Sequence, residues 1–218
     1  MISIISMSQY TKITPVLSSW PFILLAAAIG LFLGVVLSFL RPLEYSSTVR
    51  ILITQELGAV DAYTASLSVE RIADDLSDIV YTTSFYDKVM DSGYDIDESY
   101  FDGDENKRRK KWNRTISTAV SRGSGLLTVK AYHTNVEQAR NLVMAVASVL
   151  IEEGWTYTSG SNITVQLVDA PLDSKWPVRP NIFANAFAGF VLGIVVGIGY
   201  ILIQAERLRR RHQLVFEE

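Results

Sequence analysis

The sequence predicts an α+β protein in which two transmembrane helices flank one extracytoplasmic α+β domain with a mixed sheet. Three observations predict it. No charged residue occurs from Ile13 to Leu40 or from Asn181 to Ile203, and about 20 apolar residues suffice for a helix to cross the hydrocarbon core of a bilayer. The stretch between them mixes short runs of β-formers with apolar residues recurring every three or four positions, the mark of strands and one-sided helices in a soluble unit. Finally, Arg207, Arg209, Arg210 and Arg211 follow the second uncharged stretch. Positive residues beside a span are retained on the cytoplasmic side, so both termini read as cytoplasmic and the middle as lying outside, with the plasma (inner) membrane as the location. The chain then divides into a cytoplasmic N-terminus (1–12), a first span (13–40), an extracytoplasmic domain (41–180), a second span (181–204) and a basic tail (205–218).

The first span competes with a cleaved export signal, but the apolar region of such a signal is only about 7–15 residues long. The stretch exceeds that, so it reads as an uncleaved anchor. Both spans carry small residues four apart: Ala26, Gly30, Gly34 and Ser38, then Gly189, Gly193 and Gly197. Such residues let backbones approach closely, which drives helix association in lipid; glycine is also simply common in membrane helices. The expectation is that these spans pack on each other or on neighbouring copies.

Within the soluble stretch, Tyr45 to Thr54 reads as a strand. Val69, Ile72, Ala73, Leu76, Ile79 and Val80 trace one face of a helix from Leu67 to Val80, and Ser84 is placed to cap a second short helix through Met90. Thr115 to Val120 and Leu126 to His133 read as strands joined by Arg122-Gly123-Ser124-Gly125, whose glycines accept positive φ. Thr134 and Glu137 have capping-box spacing ahead of a helix reaching about Glu153. Ile163 to Val168 is the last strand. Strand, helix and strand over this length permit a crossover that lays it parallel to Leu126–His133. Beyond it, Pro171, Pro177 and Pro180 fix φ and lack an amide donor, so Ala170 to Arg179 reads as a stiff extended strut within 169–180.

Composition excludes several functions. The net charge of −3 lacks the basic face of a nucleic-acid binder. With no cysteine there is neither a disulfide framework nor a thiolate zinc site. A Ser/His/Asp triad would have to use His133, at a strand end, which reads as structural. Gly123 and Gly125 lack the lysine-serine/threonine ending of a phosphate loop. No catalytic, metal or cofactor site is therefore expected. Lys107 to Arg114 forms a basic run after the acidic stretch Asp91 to Glu105. It reads as a solvated helix or loop whose cations offset those acids; the alternative is contact with an anionic glycan through Arg108, Arg109, Lys110 and Trp112.

The order of parts resembles the polysaccharide co-polymerases, the Wzz-type chain-length determinants and the capsule-biosynthesis adaptors related to them. The resemblance rests on Tyr45–Thr54 after the first span, Ile72–Phe85, the Gly125-Leu126-Leu127-Thr128-Val129 strand with the following Asn135–Ala145, and above all Asp169-Ala170-Pro171 with Pro177, Pro180 and Asn181. It covers nearly the whole chain, whose size is closer to the shorter Gram-positive adaptors, since only Asp91–Lys111 stands where chain-length determinants insert a long helical region. It implies a non-catalytic, homo-oligomeric membrane scaffold that regulates chain length or export of a surface polysaccharide (capsule, exopolysaccharide or O antigen) beside a polysaccharide polymerase. The alternative it implies is an adaptor that activates a separate cytoplasmic tyrosine kinase, for which Leu214, Val215 and Phe216 would be the contact; a frayed basic terminus is the competing reading of that tail.

Overall fold

The structure, a computed structural model, describes residues 19–55, 61–158 and 163–215, with side chains as far as Arg207. Residues 1–12, the opening of the first expected span, Phe216 and the side chains of Leu214 and Val215 lie outside it. The chain divides into two units, Leu43–Arg179 and Met1–Pro42 with Pro180–Glu218.

The middle unit is α+β. In chain order it holds β1 (Tyr45–Gln55), α2 (Ala62–Ile79), α3 (Thr83–Met90), a 3-10 turn (Glu98–Phe101), α4 (Glu105–Thr115), β2 (Ile116–Ser121), β3 (Leu126–His133), α5 (Val136–Glu153), a second 3-10 turn (Gly154–Tyr157) and β4 (Ile163–Asp173). The four strands form one sheet in the order β2-β3-β1-β4, with every pairing antiparallel. This corrects the expected mixed sheet. β3 and β4 do run in the same direction, but β1 lies between them and pairs with both. β1 takes the centre because Val49, Ile51 and Ile53 alternate along one face and are fully buried, so its apolar row is covered only when it is flanked on both sides. The periodicity of β1 shows that it has one apolar face; it does not say which strands flank it.

That face, continued by Leu127, Val129 and Ala131 of β3, packs beneath α2 and α5 through Ile72, Leu76, Leu142, Val146 and Leu150. The opposite face carries Thr48, Arg50, Thr128 and Lys130, none of them buried.

Helix starts differ from expectation in small, explicable ways. Asp61 accepts from the Tyr63 and Thr64 amides, so α2 begins at Ala62 rather than near Leu67. Thr82, not Ser84, caps α3 by accepting from the Phe85 amide at 3.3 Å. Asn135, not Thr134, caps α5 by accepting from the Glu137 amide at 2.8 Å, and asparagine is the stronger cap of the two. The hairpin at Arg122–Gly125 forms with Gly123 at φ +70° and Gly125 at φ +61°. A Cβ on Gly125 would also press on the Ile53 carbonyl oxygen at 2.5 Å, so glycine is required there twice over.

The stretch expected as a stiff extended strut begins inside the sheet. Ala170 to Asp173 belong to β4, an edge strand whose register shifts on either side of Arg50. Thr48 pairs with Leu172 and Arg50 with Asp169, so Ala170 and Pro171 both stand opposite Val49. Proline is admitted there because a bulged edge needs no donor from it.

The other unit is a pair of antiparallel helices, α1 (Trp20–Ser38) and α6 (Ile182–Val215). Both are long and apolar enough to cross a membrane, over Trp20–Ser38 and Ile182–Arg207. Their large apolar side chains point outward; Phe32 is 65% and Phe183 90% exposed. α6 continues unbroken through the basic stretch into Val215, past the expected boundary at Gln204, because Glu, Arg, Leu and Gln are good helix formers.

Candidate functional site

The helix pair is held by glycine. Built onto Gly30, a Cβ would run into the Gly189 carbonyl and lie 3.0 Å from Gly193 Cα; on Gly34 it would meet the backbone of Asn185 and Ala186, at 3.1 and 3.3 Å. On Gly193 it would lie 2.8 Å from Ala27 Cα, and on Gly197 3.1 Å from Ala26 Cβ. The obstacles are mostly backbone atoms, which cannot swing aside. Four small residues on one helix thus meet four on the other at backbone distance. At the end of this seam Asn185 donates from Nδ2 to Ser38 Oγ at 2.9 Å, and Ser38 donates to the Gly34 carbonyl at 2.9 Å. The buried Ser38 hydroxyl is thereby paired, as an apolar medium requires.

The basic run falls on α4, where Trp112 and Thr115 are the buried residues. Trp112 is 1% exposed, donates from Nε1 to the Val80 carbonyl at 2.8 Å, and packs edge-on to Tyr86 and Phe101 with ring centroids 5.2 and 5.8 Å apart. It is core and out of reach of any glycan, a correction to its place among the candidate contacts. Arg109 and Lys110 stand on the exposed side; Arg108 lies partly buried over the Tyr86 ring, 5.6 Å from its centroid. Lys111 sits 3.8 Å over the Tyr100 ring. What sequence periodicity missed is that Trp112 is the one large apolar residue of a strongly charged helix and so had to be its anchor.

His133 is 5% exposed. Its Nδ1 accepts from the Asn135 amide at 3.0 Å and its ring lies against Tyr100, 4.2 Å between centroids. Burial pushes its pKa below the ordinary value, with Asp97 opposing the shift and Lys111 adding to it. The imidazole is spent on fixing the β3–α5 turn. Among the described residues there is also no cluster of His, Cys, Asp and Glu able to hold a metal ion.

The proline junction is a clamped edge. Ser174 donates its amide to the Ser46 carbonyl at 2.7 Å, and Glu44 and Arg179 exchange backbone bonds at 2.8 and 3.2 Å. Arg179 stacks 3.4 Å from the Tyr132 ring centroid and donates to the Arg114 carbonyl at 2.7 Å. On the core side Arg140 donates from Nε to Asp173 at 2.9 Å. Burial works to raise the Asp173 carboxyl, but hydrogen bonding and the Arg140 charge outweigh it and hold it below its usual range. Pro171 and Pro177 thus lie in a segment fixed to β1, with Ala170 exposed at the edge.

Fold and surfaces together define a class: an α+β domain joined at both ends to apolar helices that pack glycine to glycine. No protein-family model matches the chain, and no curated protein matches it.

Proposed function

We propose that this chain is a non-catalytic membrane scaffold that regulates the chain length or export of a surface polysaccharide. The supporting observation is the covalent order of parts. An apolar helix enters the domain through the central strand, the chain leaves by the neighbouring edge strand through Ala170-Pro171, Pro177 and Pro180-Asn181, and a glycine-bearing helix follows. In this reading both helices cross the inner membrane, the domain stands outside, and copies associate laterally. The helix pair would sit beside a polysaccharide polymerase. The exposed cations Arg109 and Lys110 are the surface offered to an anionic glycan, while chemistry is left to the partner enzyme.

The decisive experiment is deletion of the gene followed by gel profiling of surface glycan length. A shifted length distribution, restored by the full chain, is expected; an unchanged profile would overturn the proposal. Mass measurement in mild detergent is expected to give an oligomer, and a strictly monomeric particle would remove the scaffold.

A further inference from the structure

Between Ser174 and Val178 the chain leaves the sheet edge in a short loop, Lys175-Trp176-Pro177, that is clamped at both ends. On one side Ser46 donates its amide to Ser174 Oγ at 2.9 Å and Ser174 donates back to the Ser46 carbonyl. On the other, the Val178 and Arg179 amides both donate to the Glu44 carbonyl at 2.8 and 3.2 Å. With proline as its third residue the loop has little freedom to fold its indole away.

Trp176 is 80% exposed, with Leu172 at 74% and Val178 at 41% close by in sequence. A single exposed apolar residue is ordinary; a rigidly presented indole with aliphatic neighbours marks a contact surface. The nearby acids are already engaged, Asp173 with Arg140 and Glu44 with Arg179. Lys175 is exposed and has no ion pair among the described residues. The surface is thus an aromatic with aliphatic flanks and one free cation.

Chain length selects the partner. Only residues 177–181 separate Trp176 from the first residue of α6, Ile182, and an extended chain covers at most about 3.6 Å per residue. If α6 crosses a bilayer, the indole is tethered within roughly 20 Å of the point where it emerges. Tryptophan is enriched at the headgroup level, where an amphipathic ring meets both phases, and lysine beside it answers lipid phosphate.

We infer that Leu172, Trp176 and Val178, with Lys175, form an interfacial anchor that docks the domain on the headgroups of an anionic phospholipid surface. This rests on α1 and α6 crossing a bilayer, and is independent of the polysaccharide reading.

The chain has no cysteine, so single nitroxide labels report position without background. The full chain would be reconstituted in phosphatidylcholine–phosphatidylglycerol vesicles with labels at Val178→Cys, beside the intact indole, Arg122→Cys in the β2–β3 hairpin and Phe187→Cys in α6. The label at 178 is expected to favour collision with oxygen over a polar nickel chelate, short of the label at 187 and well beyond the label at 122. Adding Trp176→Ala to the 178-labelled chain should move that label toward the value at 122, and vesicles of phosphatidylcholine alone should do so in part. A label at 178 matching 122 in the chain that keeps Trp176 would overturn the anchor, and shielding from both reagents would assign the loop to a protein contact instead. A label at 187 open to the nickel chelate would remove the spanning helices, and the anchor with them.

Discussion

At the residue scale the most telling side chain is Trp112, because its role separates charge from packing on one helix. Its ring is enclosed by Tyr86 and Phe101 and its N–H is taken by Val80, so Trp112→Ala should destabilise by about 3–5 kcal/mol. Arg109→Ala, on the exposed side of the same helix, should change stability by less than about 0.5 kcal/mol. Thermal or denaturant unfolding of the two variants checks both. His133 gives a second prediction at this scale. Its folded pKa lies below its ordinary value of 6.5 because burial disfavours the cation. The unfolded chain therefore binds the proton first, and the contribution of this residue is fully present above about pH 6.5 and is lost as pH falls from there through the folded pKa. Asp97, Lys111 and Tyr100 are the other groups around the ring. The Tm of the wild-type chain should fall more steeply between pH 7.5 and pH 5 than that of His133→Gln; identical slopes would show that protonation there is not linked to folding.

At the element scale, glycine offers an internal control on how the helices pair. Replacing glycine by alanine within a helix is ordinarily favourable by up to about 1 kcal/mol. At Gly199 nothing stands within 4 Å of a new Cβ, so Gly199→Ala should leave the Tm in detergent unchanged or raised. At Gly30 the same change drives a methyl into the Gly189 carbonyl, and overpacking of this kind costs about 1–3 kcal/mol. Gly30→Ala should therefore lower the Tm despite its better helix propensity, and equal effects at the two positions would refute the tight seam. The glycine spacing was legible in the sequence because a period of four survives without knowledge of the partner. The same holds for α2, α5 and the strands, whose apolar periods are local. Strand order was not legible, since the spacing of β3, α5 and β4 fits adjacent strands and strands separated by β1 equally well. Nor was the fate of the prolines. Rigid φ at Pro171 and Pro177 suits a free strut and a bulged edge alike, and only the bonds from Ser46 and Glu44 decide between them. Trp112 was misread because it sits among six cations, a composition that signals solvent while hiding one anchor.

At the scale of the whole molecule the issue is which side of a membrane each part occupies. The apolar surface of α1 and α6 is too continuous for water: Leu25, Phe32, Leu192 and Phe183 are all more than half exposed, against the scattered single residues of an ordinary surface. A bilayer would cover such a surface, and in the proposed topology the arginines after Ile203 orient it, because charges beside a span stay on the cytoplasmic side. Two spans would then make the two ends share that side. A cysteine-free chain allows this to be read directly in intact cells: a membrane-impermeant maleimide should label Arg122→Cys, in the exposed hairpin, and should reach His212→Cys only after the cells are opened. The reverse pattern would place the α+β domain in the cytoplasm, out of reach of any surface polymer, and the proposed scaffold would fail with it. Labelling of both positions in sealed cells would mean that α6 does not cross, because it is the one apolar helix between the hairpin and the tail, and a single crossing puts them on opposite sides.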